Sequence, residues 1–412
     1  MTTSAAQQTE AAAPAADVVE AHRNAPARRR ARISRFMRVL LMITAGIHVP
    51  VALGVGELLR RVGAPFPWAL GALWGALGFA LFAGRARAGM HDARGRHPLL
   101  VRAVDIPYFV HWCAAVWTLI PAVVETIGVP LVDLARGVPV ALPFGAYMWT
   151  YLSGLVVCGY GVLVRRRWFR VVEREVPLEG LPKAFDGLRI AHLSDLHIGT
   201  LTPRSWGMRW AAAANARQPD IAVVTGDLVT SGTEFAEEVA EVIGALRAKH
   251  GVYTSLGNHD YFGAEHEIIK AVAARSRVLR NEGLLIERDG ARLWLSAIDD
   301  TWTRRDDLRA AMAGRPDGAP AVLLAHDPSR FDAAADAGVD LVLSGHTHGG
   351  QIAFPFLSRA LSLASLAHPY NVGFYRRGRS TLYVHPGLGT TGPPMRLGAA
   401  PEVTILVLRA AR

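Results

Sequence analysis

Apolar residues fall along this chain in two unlike patterns. Up to about residue 165 they come in long runs, near 37–58, 64–84, 104–128 and 142–164. A helix needs roughly 20 such residues to cross a bilayer, so the pattern predicts four transmembrane helices. The run Ala64–Gly84 holds no ionisable residue, whereas His48, Asp105, His111 and Glu125 interrupt the first and third. Three of the four lie near the end or middle of a run, so they read as packing or snorkelling groups rather than a site inside the membrane.

From about residue 185 the apolar runs shorten and alternate with helical periodicity. Leu188–Ser194, Ile221–Thr225, Gly251–Leu256, Ala321–Ala325 and Leu341–Ser344 predict buried strands. Helical patterns cover 203–217, 233–249 and 304–313, and a hairpin is expected at 283–298. Such alternation argues for an α/β domain built of βαβ units. Residues 1–33, rich in Ala, Pro, Gln and Arg without periodicity, predict a disordered basic tail. About 35 residues precede the first apolar run, so no cleaved secretory signal is expected. The expected order is a tail (1–33), a transmembrane region (34–168) and a catalytic domain (169–412).

Charge refines this picture. Residues 1–170 carry 19 Arg, no Lys and 8 acids, a net of +11, while 171–412 carry 26 basic and 27 acidic groups, a net of −1. The overall +10 therefore belongs to the flanks of the apolar runs, and no nucleic-acid partner is expected. Seven arginines precede the first run, five lie between the second and third, and four follow the fourth. The other two loops hold Arg60, Arg61 and Arg136 only. By the positive-inside rule the N-terminus and everything after 165 face the cytoplasm. Lysine is scarce, three against 42 arginines, as in GC-rich bacterial genomes, so a bacterial inner membrane is the expected location. Cys113 and Cys158 both lie in apolar runs and read as small hydrophobes, with no disulfide framework.

The candidate chemistry follows the strands. After them come Ser194-Asp195-Leu196-His197, Gly226-Asp227, Gly257-Asn258-His259-Asp260, His326-Asp327 and Gly345-His346-Thr347-His348. Each alone reads as a cap or a turn, since Asn and Asp bond their own backbone. Ligands in open α/β sheets bind beyond the carboxyl ends of strands, so the five loops are expected to meet at one site. Carboxylates, imidazoles and an amide oxygen without a thiolate suit Mn, Fe, Zn or Ni. The candidate ligands exceed what one ion with an open position can use. Two ions about 3.5–4 Å apart, bridged by a carboxylate, would use them all, and such pairs serve in-line displacement at phosphorus.

These residues resemble the calcineurin-like metallophosphoesterases. That family's Asp-x-His, Gly-Asp, Gly-Asn-His-Asp/Glu, His and Gly-His-x-His elements occur here in order, over roughly 187–410. The strings GLRIAHLSDLHIG, GNHDYFG, SGHTHGGQ and PGLGTTGPP are similar to its membrane-anchored bacterial branch. Some members of that branch cleave the pyrophosphate of a UDP-diacylglucosamine lipid, and others are general phosphodiesterases. The resemblance implies an α/β sandwich and two divalent ions, manganese foremost. It implies Asp195, His197 and His348 on one ion, Asn258, His326 and His346 on the other, and Asp227 between them. It also implies a hydroxide shared by the ions as nucleophile, with His259 as general acid or phosphoryl-oxygen donor. Asp260 would then orient His259.

For the substrate, the apolar stretch 354–366 and Arg376, Arg377 and Arg379 could meet acyl chains and lipid phosphates, or could be a packed helix and a solvated turn. Arg396 is a candidate phosphate clamp. The expected enzyme is a membrane-anchored phosphoesterase for a lipid-linked phosphodiester or pyrophosphate. Soluble nucleotides or phosphoproteins are the alternative substrates, and a non-catalytic membrane receptor or scaffold is the rival of another class. Oligomeric state is not legible.

Overall fold

The computed structural model describes residues 16–87, 98–263, 265–353, 362, 364–366 and 368–411. Four of its helices are long and apolar enough to cross a membrane, over Met37–Arg61, Pro67–Arg85, Val101–Ala135 and Phe144–Arg167. They belong to helices α1 (Ala16–Arg61), α2 (Pro67–Arg87), α3 (Ile106–Ala135), entered through a π-helical turn at Val101–Asp105, and α4 (Phe144–Leu163). Helix α1 begins well before its apolar part. The described half of the expected tail, from Ala16, is thus helical, as its Ala and Arg content allows. The rest of the tail lies outside the described residues.

The chain divides into two compact units, and the division does not fall at residue 168. One unit is Met1–Arg87 with Glu125–Met148; the other is Ala88–Val124 with Trp149–Arg412. In the first, α1 and α2 meet through small residues. A Cβ on Gly71 would lie 2.4 Å from the Ala52 carbonyl oxygen and 2.7 Å from the Gly56 nitrogen, so only glycine permits this approach.

The second unit holds most of α4, the first part of α3 and the whole globular domain. Between the helices, His111 Nδ1 lies 2.7 Å from the Tyr151 hydroxyl. Cys113 and Cys158 are buried and unpaired, in a small core with Val101, Ile106, Val162 and Met395. The packing role expected of both cysteines therefore matches their surroundings.

The globular domain is a sandwich of two six-stranded sheets. The first runs in the order β1 (Arg170–Glu179), β12 (Glu402–Ala411), β2 (Arg189–Leu193), β3 (Ile221–Thr225), β4 (Val252–Ser255), β5 (Arg277–Val278). The second runs β10 (Gly373–Arg377), β11 (Ser380–Val384), β9 (Leu341–Ser344), β8 (Ala321–Leu324), β7 (Ala291–Ala297), β6 (Glu282–Arg288). Ile190, Val223 and Leu406 of one sheet and Leu295, Leu324 and Leu343 of the other share the central core. Every residue of β3, β8 and β9 is buried, which is why these strands read as unbroken apolar runs.

Helices α5 (Arg204–Asn215), α6 (Ala236–Gly244) and α7 (Glu265–Ala273) cover the outer face of the first sheet through Trp210, Ile243 and Val272. Helices α8 (Leu308–Met312) and α9 (Phe331–Asp336) cover the second through Ala311 and Phe331. The expected hairpin is β6–β7, turning at Asp289-Gly290, both at positive φ as a two-residue hairpin turn requires. The five strands bearing the candidate loops are divided between the sheets: β2, β3 and β4 lie in the first and β8 and β9 in the second.

Candidate metal centre

The loops after these five strands nevertheless meet. Asp195, His197, Asp227 and His348 are all buried and present ligand atoms within 4.8 Å of one another. Asp227, His326 and His346 form a second group by the same measure, so Asp227 belongs to both. Within the first, His197 Nε2 is 3.1 Å from His348 Nε2 and 3.5 Å from Asp227 Oδ2, and His348 Nε2 is 3.3 Å from Asp195 Oδ1. Within the second, His326 Nε2 is 3.3 Å from Asp227 Oδ2 and 3.3 Å from His346 Nδ1.

The backbone is bent to achieve this. Asp195, His197, Asp227, His346 and His348 all have φ between 45° and 71°, in the left-handed region. Each such non-glycine residue costs about 1–2 kcal/mol, and strain of this kind concentrates at functional sites. Gly345 shows how close the segments run. A Cβ there would lie 1.9 Å from Ser194 Oγ and 2.3 Å from Asp195 Oδ2. A side chain at this position would push the β2 and β9 loops apart.

Further hydrogen bonds aim the ligand atoms. His326 Nδ1 donates to the Thr225 carbonyl (2.8 Å), leaving Nε2 toward Asp227. The His346 amide donates to both oxygens of Asp195, at 3.0 and 3.2 Å. The His259 amide donates to Asp227 Oδ1 at 2.9 Å and so ties the Asn258 turn to the shared carboxylate.

The crowding of these groups shifts their protonation. Burial, helped by the neighbouring histidines and Arg396, pushes His197 down to about 3, and His348 lies well below the usual imidazole range for the same reasons. Burial raises Asp195 to about 6, with the Asp227 charge adding to it. For His326 burial acts downward, but the Asp227 carboxylate outweighs it and carries the ring up to about 10. Asp227 falls well below its usual range although burial opposes this, because His326 and His259 favour its charge. Protons are thus drawn to the place where the carboxylates converge. Asn258 Oδ1 and His197 Nδ1 are buried with no hydrogen-bond partner among the described residues. An orphaned amide oxygen beside converging imidazoles and carboxylates fits a divalent cation pair, with Asp227 common to both ions.

Two residues depart from the roles expected of them. Asp260 does not orient His259. Its carboxylate accepts from the amides of Gly257 (2.9 Å), Leu228 (2.8 Å) and Val229 (3.3 Å), bracing the β3 and β4 loops. His259 is held by the Thr230 carbonyl, which accepts from Nδ1 at 2.6 Å, while Nε2 lies 3.2 Å from Thr391 Oγ1. Nor does Arg396 present a clamp. It is fully buried, and its guanidinium donates to the carbonyls of Pro386 (2.8 Å) and Gly389 (2.6 Å), leaving no fork for a substrate phosphate.

Of the other basic candidates, Arg377 pairs with Asp332 (2.7 Å) and Asp336 (2.8 Å), and Arg379 pairs with Asp340. Both are engaged in the protein itself. Most of the apolar stretch 354–366 lies outside the described residues.

Sequence reading also missed neighbours of the site. The rings of His368 and Trp302 lie 5.4 and 6.5 Å from that of His346. Neither belongs to a short motif. Gln351 bonds Thr391 in both directions across the site, its Nε2 donating to the Thr391 carbonyl (2.7 Å) and its Oε1 accepting from the Thr391 amide (3.0 Å). These two could have been found, because they end the strings SGHTHGGQ and PGLGTT.

Known proteins resemble this chain over the region of the candidate centre. The calcineurin-like phosphoesterase family matches residues 188–350. A transmembrane protein with metallophosphoesterase domain from Danio rerio is 34% identical over 301 residues, covering 68% of this chain and 67% of that protein. An uncharacterized metallophosphoesterase of Bacillus subtilis is 29% identical over 271 residues and covered to 94% of its length. Another, from Aquifex aeolicus, is 30% identical over 251 residues and covered to 92%. The chain belongs to the calcineurin-like phosphoesterase family. It is a metal-dependent phosphoester hydrolase of the membrane, carrying its own transmembrane helices.

Proposed function

We propose that the chain hydrolyses a phosphodiester or pyrophosphate bond of a lipid-linked substrate, of the UDP-diacylglucosamine kind, at the cytoplasmic face of a bacterial inner membrane. The observation that carries the reaction is the pair of ligand groups sharing Asp227. In this reading Asp195, His197 and His348 would hold one divalent cation, Asn258, His326 and His346 the other, and Asp227 would be shared between them. Manganese is the first candidate. When bound, such a pair supplies an ionised water at neutral pH and offsets the charge that builds on the phosphoryl oxygens.

The protein's own groups do the rest. His259 and His346 are only partly buried, unlike His197, His326 and His348, so substrate approaches from their side. With Nδ1 fixed on the Thr230 carbonyl, His259 has Nε2 beside Thr391 Oγ1 (3.2 Å), and exchanging that contact for substrate would let the ring serve the leaving oxygen. The Asp260 carboxylate, by holding the Leu228 and Gly257 amides, keeps Asp227 and Asn258 in register. Strain in the ligand loops is consistent with preorganisation for the reaction.

The lipid substrate rests on the second unit. There α4 packs against the Met395–Leu397 segment, so this one helix and the globular domain share a unit. An anchor built into the site would hold it where lipid headgroups emerge. The arginine distribution supports the cytoplasmic side. A headgroup-release assay with the full chain and manganese tests the reading. Faster release from a diacyl lipid pyrophosphate than from the matching soluble nucleotide is expected. Equal or faster cleavage of the soluble compound would favour nucleotides or phosphoproteins, and no cleavage of either with metal bound would favour a receptor or scaffold.

A further inference from the structure

A cavity of about 660 Å³ lies apart from the metal ligands, where α3 and α4 meet the loop that enters α5. Its charged lining is Arg102, Arg166, Arg167, Arg204 and Glu238. Arg204 is spent in an ion pair with Glu241. The other three arginines have no carboxylate partner among the described residues. Arg166 is 3% exposed, and its Nε and Nη1 donate to the carbonyls of Val162 (2.6 Å) and Leu201 (3.0 Å). Arg166 and Arg167 both lie over the Trp206 ring, at 5.1 and 5.7 Å from its centre. Three unneutralised guanidinium groups against one carboxylate leave the cavity an excess of positive charge. Arg166 is buried, whereas Arg102 and Arg167 are exposed at the cavity's mouth; a buried charge with no carboxylate, beside two more of the same sign, favours an anion.

Its level along the helices narrows the ligand. The span Val101–Ala135 begins, and the span Phe144–Arg167 ends, at this cavity. Lipid phosphates sit at that depth, where the hydrocarbon gives way to water. Beside the arginines the wall is apolar, formed by Ile106, Leu201 and Trp206. A guanidinium fork facing a phosphate, next to an apolar wall that takes the glycerol and first acyl carbons, describes a phospholipid.

We infer that this cavity is a binding site for an anionic phospholipid, separate from the metal centre, whose phosphate is held by Arg102, Arg166 and Arg167. The site neighbours the catalytic one in sequence. Its wall includes Gly199 and Leu201, shortly after His197, so a bound lipid also steadies the loop that carries a metal ligand. This holds whatever substrate the metal centre cleaves.

The test is lipid binding to the full chain in neutral detergent, read by native mass spectrometry with phosphatidylglycerol as probe. The variants are Arg102→Gln/Arg167→Gln and, as a control on non-specific charge, Arg292→Gln, exposed on the β6–β7 hairpin. Neither Arg102 nor Arg167 carries the buried bonds of Arg166, and unchanged unfolding temperature without lipid shows that the double variant is folded. Phosphatidylglycerol is expected to bind at least about tenfold better than phosphatidylcholine, with the preference lost in the double variant and kept in the control. Equal binding of the two lipids would overturn the inference. So would a double variant that binds like wild type, a control that loses as much, or sn-glycerol 3-phosphate binding as well as the lipid.

Discussion

Arg396 Nη2 lies 3.4 Å from His348 Nδ1, so a buried cation stands directly behind a histidine of the metal centre. The same side chain holds the Pro386 and Gly389 carbonyls, and its backbone amide donates to the Gly161 carbonyl of α4 at 3.4 Å. One residue thus joins the last clamp of the site, the loop that crosses it and a membrane-spanning helix. Its burial decides its role, because none of its donors can follow a substrate.

Replacing it should therefore affect metal before substrate. Arg396→Met removes the bonds that fix the His348 ring and the 386–389 loop, and supports of this kind are worth about 10–100-fold in metal affinity. Metal titration of the stripped protein should show that loss, with KM little changed once metal is saturating. A rise in KM with unchanged metal affinity would restore the phosphate clamp.

Gly161 offers a second handle from inside α4. A Cβ there would lie 2.7 Å from Met395 Cγ and 3.2 Å from the Arg396 carbonyl oxygen, whereas at Gly159 the nearest atom is 3.8 Å away. Gly161→Val should displace the Met395–Leu397 segment and lower turnover by about tenfold or more, in line with overpacking costs of about 1–3 kcal/mol. Gly159→Ala should leave turnover nearly unchanged. Equal activity of both variants in a chromogenic phosphodiester assay would mean that the helix is an anchor and nothing else.

His192 predicts a pH dependence of stability. It lies inside β2, fully buried, with Nε2 2.8 Å from Thr225 Oγ1 and its ring 4.8 Å from that of His385. Burial carries it from 6.5 down to about 3. Below pH 6.5 the unfolded chain binds a proton that the fold refuses, so this contribution is full above pH 6.5 and is lost as pH falls toward 3. The loss approaches about 1.4 kcal/mol per pH unit. His192→Gln keeps a partner for Thr225 without titrating. Its unfolding temperature should fall further below wild type at pH 7.5 than at pH 5.5, and a gap that does not change with pH would contradict the assignment.

Most of the site was legible because its ligands are tied to strand ends, and a buried strand announces itself as an apolar run. Asp195, Asp227, His326 and His346 could be placed from that rule alone. Which sheet each strand joins was not legible, because β12 and β11 insert from far along the chain between or beside the earlier strands. Local pattern carries no information about such long-range pairing. Asp260 and Arg396 were misread for a related reason. A carboxylate beside a histidine, or an arginine after two prolines, suggests contact by adjacency. The fold instead turns Asp260 toward the amides of Leu228 and Gly257 and closes the 386–398 segment over Arg396. Composition marks where the apolar runs end, not how they pack: Gly161 and Cys158 lie in the fourth run and pack within the unit that holds the globular domain.

The central claim is that Asp227 joins two metal sites into one reactive centre. It is tested most directly by measuring bound manganese and phosphodiester turnover on the same preparations of the full chain and of Asp227→Asn. Two ions per wild-type chain are expected, with the variant losing at least one and its turnover falling by about 10³-fold or more, the scale on which enzymes lose a principal electrostatic stabiliser. One ion per active wild-type chain, or an Asp227→Asn variant that keeps two ions and wild-type turnover, would contradict it.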